Sequence, residues 1–310
     1  MFGRLVPCVI AIGLLMPASS PAADQAAQKR KDKREIKKLI EKSAYFSPYL
    51  TGTTKRYGSA YTEGNLPDSS APMSPLAADA EATLPAGWGR RLETDPVRTS
   101  TVIVVGDTAT VSTVIDIDAT LYVDTSFDGR KNPGAKPIED TVYRYSTWQK
   151  EDGKWHLTEI SPAEVRLSDP GRQTVFVTEV KVYVNDTLMM DITDPADKRD
   201  VETEIVRVTN GDVVKVEASV TNSSTSGLDP LTYVYCHPNR PVGGRDLMYD
   251  DGVNGGDAVA ADGVWTYTYT VNLQDGCHHA AIDALDSLCL QNETDDDYNA
   301  AAWGMPYVVE

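Results

Sequence analysis

The chain has 310 residues, 41% of them hydrophobic, and a formal net charge of −17 at pH 7. This length predicts two ordinary domains, and the apolar fraction suffices to build hydrophobic cores. A surface this acidic repels phosphate backbones, which excludes nucleic acid as a partner of the main surface.

The first 23 residues have the three parts of a secretion signal. Arg4 provides the positive start, the apolar run 9–16 follows, and small residues at 20–23 fit a cleavage site. The apolar run is shorter than the roughly 20 residues that cross a bilayer, and no later stretch is long enough. We therefore expect a cleaved signal peptide, no transmembrane segment, and a secreted or periplasmic location.

Residues 24–50 are predicted to contain a basic helix. Gly and Pro are absent from most of this stretch, and Ile36, Leu39 and Ile40 share one helical face. The part 29–42 has eight basic and three acidic residues, so it carries +5 and leaves −22 for the rest of the chain. Two interpretations stay open: a solvated charged helix, or an arm that contacts anionic lipid or folds back onto the acidic body.

The segment 51–95 is predicted to be a Pro-, Ser- and Gly-rich loop that leads into the first domain. From 96 to 168 the sequence alternates apolar and polar residues, and turn signals separate four strands. A helix followed by an antiparallel meander is an α+β arrangement.

This order resembles the nuclear-transport-factor-like (cystatin-like) cone fold of many exported bacterial proteins. The residues that carry the resemblance are 106–111, 143–145 and 152–157, with the sequences Gly-Asp-Thr-Ala-Thr-Val, Tyr-Arg-Tyr and Asp-Gly-Lys-Trp-His-Leu. The resemblance implies a cone-like α+β domain over about 35–165. Enzymes with this fold place acid–base residues inside the pocket of the cone.

Residues 173–310 are predicted to form an all-β domain. Short β-rich runs separated by turns favour an immunoglobulin-like sandwich. The segment 249–265 resembles the Asp-Asp-Gly…Gly-Asp-x-x-x-x-Asp-Gly-x-Tyr/Trp loop of bacterial Ig-like domains of the choice-of-anchor type. That family implies an extracellular sandwich of adhesive or structural use. The predicted fold class is therefore an α+β cone-like domain followed by an all-β immunoglobulin-like sandwich.

Five oxygen-bearing side chains lie close together in that segment, and they are the candidate metal ligands: Asp250, Asp251, Asn254, Asp257 and Asp262. Calcium takes about six to eight oxygen ligands, and the interspersed glycines allow a tight loop. The alternative is a long turn in which the Asp and Asn side chains bind their own backbone. Calcium is thus the cofactor that the sequence suggests.

Three cysteines remain once Cys8 leaves with the signal. Cys236, Cys277 and Cys289 all lie in the last quarter of the chain, and an oxidising compartment favours one disulfide among them. The sequence does not choose the pair. A zinc site with the neighbouring histidines is disfavoured, because there is no Cys-x-x-Cys.

The leading hypothesis is a non-enzymatic binding or structural protein whose partner is a cell-surface or periplasmic protein or glycan. Phosphate loops, serine nucleophile elbows and His-Glu-x-x-His motifs are absent from the sequence. The alternative is an enzyme or small-ligand binder with a pocket in the first domain. His156 would then face that pocket, with Asp116, Asp118 and Asp124 as candidate partners.

Overall fold

The computed structural model describes residues 21–46, 87–125, 133–228, 231–240, 245–294 and 297–310. The predicted signal peptide up to residue 20 and the predicted loop from 51 to 86 lie outside these ranges. Within them there are two α-helices, two short 3₁₀ helices and sixteen strands. No described helix is long and apolar enough to cross a membrane.

The helices are α1 (Pro21–Lys42) and α2 (Leu288–Gln291), with 3₁₀ turns at Ala44–Phe46 and Pro170–Arg172. The strands are β1 (Gly87–Leu92), β2 (Val97–Val105), β3 (Thr108–Asp124), β4 (Gly134–Glu151), β5 (Lys154–Ile160), β6 (Ala163–Leu167), β7 (Val175–Val184), β8 (Thr187–Ile192), β9 (Arg199–Asp200), β10 (Arg207–Val208), β11 (Val213–Asn222), β12 (Thr232–Arg240), β13 (Asp246–Leu247), β14 (Val264–Thr270), β15 (Gly276–Asp286) and β16 (Ala300–Val309).

Twelve of these strands form one large sheet and four form a second sheet. The large sheet runs β1-β3-β4-β6-β16-β15-β12-β13, with β2 beside β3, β5 beside β4, β9 beside β5 and β10 beside β16. The second sheet runs β14-β11-β7-β8. Neighbouring strands are antiparallel, apart from the two-residue parallel pair of β10 and β16.

The long strands β3 and β4 make the large sheet curl. They pair over 16 positions, from Thr108 to Val123, and β3 pairs on its other side with β2 along its first half and with β1 along its second half. Long antiparallel strands accumulate right-handed twist, so the sheet coils instead of staying flat. The odd-numbered residues of β3 are buried on the inner face of this coil.

The inner face encloses a core to which both ends of the sheet contribute. Leu121 of β3, Ile138 of β4 and Val165 of β6 belong to the same buried cluster as Leu285 of β15 and Ala302 of β16. The N-terminal and C-terminal strands therefore cover one shared core.

The second sheet packs on the opposite face of β12, β15 and β16. Val180 of β7 and Val216 of β11 share a buried cluster with Cys236, Ile282 and Trp303. This face-to-face packing of two sheets is a sandwich layer, but one of its sheets is the large curled sheet.

The predicted fold class is therefore wrong. Among the described residues α1 is the single helix longer than four residues, and β6 of the predicted cone pairs directly with β16 of the predicted sandwich. The structure is one large curled antiparallel sheet with a smaller sheet packed on it, instead of an α+β cone followed by an immunoglobulin-like sandwich.

The error arose at β16, which joins the two halves. Its sequence starts with three alanines and contains Pro306, features that argue against a central strand. Pro306 is tolerated because β6 pairs with Ala302 to Gly304 only, so no β6 residue pairs with the proline, which lacks an N–H.

Candidate functional site

The predicted aspartate loop is built on hydrogen bonds to its own backbone. Asp250 accepts the N–H groups of Asp262 and Gly263, both at 3.0 Å. Asp251 accepts those of Val253 at 2.9 Å and Asn254 at 2.7 Å.

The other two aspartates of the loop bind backbone as well. Asp257 accepts the N–H of Gly252 at 2.6 Å, and Asp262 accepts that of Val264 at 2.9 Å. In the described part of the chain, no group of three or more His, Cys, Asp or Glu side chains is placed to hold a metal ion. These contacts are those of the turn interpretation, and calcium binding stays a prediction.

The predicted disulfide is not formed in the structure. None of Cys236, Cys277 and Cys289 is disulfide-bonded. Cys236 lies in the core between the two sheets, whereas Cys289 lies in the core inside the curl. Burial raises the pKa of Cys289 to about 12, and its Sγ lies 3.1 Å from the carbonyl oxygen of Asn299.

His156 and the predicted acidic partners are not brought together. His156 is exposed on β5, where the register places it beside Gln149 and hence Thr108. Asp116 is exposed eight residues further along β3. The register of the sheet therefore does not bring Asp116, Asp118 or Asp124 next to His156.

The sequence did not reveal a buried charged cluster inside the curl. Arg90 of β1 donates to both carboxylate oxygens of Asp283 on β15, with Nη2 to Oδ1 at 3.1 Å. Nε2 of His237 on β12 lies 3.2 Å from Oδ2 of the same carboxylate. All three side chains are at most 1% exposed. The cluster thus joins three strands that are distant in sequence.

Asp140 and Tyr298 extend this cluster. The hydroxyl of Tyr298 donates to Oδ2 of Asp140 at 2.9 Å, and the guanidinium of Arg90 lies 5.7 Å from the Tyr298 ring. Burial raises the pKa of Asp140 to about 7, although the charge of Arg90 and the Tyr298 hydrogen bond act to lower it. Oδ1 of Asp140 and Nδ1 of His237 have no hydrogen-bond partner among the described residues.

A second feature is α1, whose residues from Asp32 to Ile40 hold it against the curled sheet. Ile36 and Ile40 are buried in a cluster with Val102 of β2, Val111 of β3 and Trp155 of β5. The helix forms because its sequence lacks Gly and Pro after the first residue, and its apolar stripe recurs at helical spacing. The apolar face of α1 is therefore buried against the protein's own sheet.

Asp32 fixes the same face of α1 by polar contacts. One oxygen of its buried carboxylate accepts hydrogen bonds from Nζ of Lys150 at 2.7 Å, Nε2 of Gln28 at 2.9 Å and Nε1 of Trp155 at 3.3 Å. Burial acts to raise the pKa of Asp32, but these hydrogen bonds bring it below its usual value. The carboxylate is thus ionised and paired at neutral pH.

Two arginines hold the chain just after α1. Nη1 of Arg144 donates to the carbonyl oxygen of Tyr45, and Nη2 of Arg98 donates to that of Phe46 at 2.6 Å. His279 lies beside them, with Nε2 at 3.3 Å from the Tyr45 carbonyl. Burial and the charge of Arg144 lower the pKa of His279 to about 3, so this imidazole is neutral.

Although these anchors fix α1 to the sheet, most of its cationic side chains face solvent. Eight cationic side chains of α1 are exposed, namely Lys29, Arg30, Lys31, Lys33, Arg34, Lys37, Lys38 and Lys42. None of them forms an ion pair within the part of the chain that the structure describes. We call this set the basic face.

Comparison with known proteins provides no further assignment, since no protein-family model, curated protein or solved structure matches the chain. The function therefore has to follow from the charges and contacts of the molecule itself.

Proposed function

We propose that this chain is an exported binding protein that attaches to an anionic membrane surface through the basic face of α1. The observation that carries the proposal is the set of eight exposed cations on one helix, without ion pairs among the described residues, in a chain of net charge −17. Net charge alone serves solubility, whereas a local surface of the opposite sign attracts partners of complementary charge.

The attraction expected from such a face is substantial. A Lys or Arg side chain close to an anionic membrane contributes about 1 kcal/mol, and this contribution fades within a Debye length of roughly 8–10 Å. Only the cations that reach the membrane plane at one time count. On a helix with 100° per residue, Lys31, Arg34, Lys38 and Lys42 lie opposite Ile36 and Ile40, and we expect these four to face the lipid.

The mode of attachment is electrostatic and without insertion. Membrane-inserting amphipathic helices bury their apolar face in the lipid. In α1 that face is occupied, because Ile36 and Ile40 are at most 1% exposed within the protein. Binding should therefore be reversible and should weaken with salt.

The remaining charge of −22 would orient the bound protein. Anionic headgroups repel the acidic body while they attract α1, so one orientation is favoured. The buried contacts of Asp32, Ile36 and Ile40 fix α1 to the sheet, so this orientation applies to the whole curled sheet. The predicted signal peptide supports a location outside the cytoplasm, where the partner would be the facing membrane leaflet.

Vesicle binding of residues 24–310 tests the proposal. We expect co-sedimentation with phosphatidylcholine vesicles that contain phosphatidylglycerol, little with pure phosphatidylcholine, and loss of binding near 1 M salt, where the Debye length is about 3 Å. The fourfold change to Gln at Lys31, Arg34, Lys38 and Lys42 should abolish binding, since Gln preserves helix propensity.

A matched control removes the same charge elsewhere. The fourfold change to Gln at the exposed positions Lys154, Arg166, Arg172 and Arg207 yields the same net charge as the α1 variant. This control should bind anionic vesicles nearly as well as the unchanged chain. Equal loss in both variants, or binding that persists in the α1 variant, would contradict the proposal.

A further inference from the structure

The edge strand β2 is hydrogen-bonded, within the described residues, to β3 alone. Its nine residues pair with β3 in unbroken register from Val97 to Val105. Every second residue of such an edge directs its N–H and C=O groups away from the sheet, ready to pair with another strand.

This edge lacks the features that usually prevent strand association. Folded proteins protect edges with prolines, lysines, bulges or several charges. From Val97 to Val105 there is no Pro, no Lys, no acidic residue and no bulge, and Arg98 is the one charged residue. Val97, Ile103 and Val105 are 61%, 57% and 72% exposed, respectively.

We infer that two copies of this chain associate by antiparallel pairing of their β2 strands. The five alternate residues on the exposed face are all β-branched, so the strand presents the same kind of surface when read in either direction. Self-complementarity of this kind is what a twofold interface between identical chains requires.

The pairing centred on Thr101 brings compatible residues together. Thr101 lies opposite its own copy, Val97 opposite Val105, and Thr99 opposite Ile103. On the other face Arg98 lies opposite Val104, so no like charges meet across the strands, and β-branched pairs are favourable cross-strand neighbours.

The arrangement has a consequence for α1. A twofold axis perpendicular to the sheet keeps the same face of both sheets on one side. The helix packs on the face of β2 that carries Val102 and Val104, so both copies of α1 lie on the same side of the dimer. The basic faces of the two copies then both point toward the same membrane plane. This part of the inference rests on the proposed function, and simultaneous binding of both faces would raise the apparent affinity on the order of 10²-fold or more.

Sedimentation equilibrium of residues 24–310 tests the association. We expect a monomer–dimer equilibrium that the double change Ile103→Lys and Val105→Lys shifts to monomer. The control, Leu188→Lys with Met189→Lys on the edge strand β8, alters side chains that are 48% and 50% exposed and should stay dimeric. Circular dichroism and thermal melting of each variant establish that it folds.

Crosslinking identifies the interface directly. Thr101→Cys should form a covalent dimer with a short bismaleimide, whereas Thr270→Cys, at an exposed position of β14, should not. A monomer at all concentrations, or a dimer that survives the β2 lysines and does not crosslink through position 101, would overturn the inference. The fourfold α1 variant should remain dimeric, so failure of vesicle binding and failure of dimerisation are separate results.

Discussion

Nζ of Lys150 on β4 donates a 2.7 Å hydrogen bond to the carboxylate of Asp32 on α1. Asp32 is 4% exposed, yet it lies on a helix whose exposed side chains are mostly cationic. The most basic segment of the chain is thus attached to the sheet through a buried acid, which leaves its own cations available to a partner.

We expect Asp32→Asn to lower the free energy of unfolding by about 1–3 kcal/mol, because Lys150 would lose its ionised partner in a buried site. The pKa of Asp32 is below its usual value in the folded protein, so this stability is present above the ordinary pKa of 3.8 and is lost as the pH falls through the folded pKa. Urea unfolding followed by tryptophan fluorescence checks this, since Trp155 also contacts Asp32. As a control, Glu41→Gln removes a negative charge from an exposed position of the same helix and should change the free energy of unfolding little. A loss equal to that of Asp32→Asn would show that the net charge of the helix, and not the buried contact, determines the effect.

The cluster inside the curl predicts strong coupling between Arg90 and Asp283. Asp283→Leu leaves the Arg90 guanidinium buried without its carboxylate and should cost about 3–5 kcal/mol. Adding Arg90→Met should recover part of that loss, since an apolar pair of similar volume is often tolerated where a half-pair is not. Denaturant titrations of the two single variants and the double variant measure this, and additive losses would show that the two residues stabilise the fold independently.

The raised pKa of Asp140 predicts that the free energy of unfolding falls as the pH rises. Its pKa is about 7 when folded, against an ordinary value of 3.8, so the folded state holds a proton that the unfolded chain releases. The stabilisation is full below the ordinary pKa and declines as the pH rises toward 7. A difference of about three between the two pKa values corresponds to roughly 4 kcal/mol at most.

Unfolding free energies at pH 5 and pH 8 check this dependence. Asp140→Asn keeps an acceptor for the Tyr298 hydroxyl and should flatten the profile, and Asp116→Asn, exposed on β3, is the matched Asp-to-Asn control. A wild-type profile that rises between these pH values would contradict the prediction.

Local elements could be predicted from the sequence, and their assembly could not. β3 spans Thr108–Asp124 and β5 spans Lys154–Ile160, as their alternation and turn residues predict. The sequence likewise places Ile36, Leu39 and Ile40 on one helical face, but it leaves open whether that face is solvated, and the structure packs it on the protein. Each of these signals lies within one element, where side-chain period determines which residues share a face.

The interior cluster depends on contacts that no local pattern encodes. Arg90 and Asp283 are 193 residues apart in the sequence, and Arg90 lies in a segment that composition predicts to be a loop. His237 and Asp283 approach only because β12 pairs with β15 in one particular register. The sequence pattern does not predict β16, the strand that pairs with both β6 and β15. Without β16 the two halves of the sheet are not joined, so the cluster cannot be predicted either.

One substitution in the aspartate loop distinguishes a calcium site from a turn held by hydrogen bonds to its own backbone. The carboxylate of Asp257 accepts the N–H of Gly252, whose φ of +70° favours glycine, and a Cβ there would lie 2.9 Å from the backbone nitrogen of Ala260. We therefore expect Asp257→Ala to destabilise the protein by about 1–3 kcal/mol, equally with and without calcium, because a backbone donor loses its acceptor. Thermal melting in millimolar calcium and in chelator measures this.

A calcium site would behave differently in the same experiment. An ion at about 100 times its dissociation constant adds about 2.7 kcal/mol to the folded state, which would raise the melting temperature of the unchanged chain by several degrees. Asp257→Ala would abolish that rise, and magnesium would not reproduce it, because it demands a smaller octahedral site and gives up its water reluctantly. We expect no such rise, since the carboxylates of Asp250, Asp251, Asp257 and Asp262 already accept backbone N–H groups of the loop. A calcium-dependent increase would show that the loop rearranges to release those carboxylates to the ion.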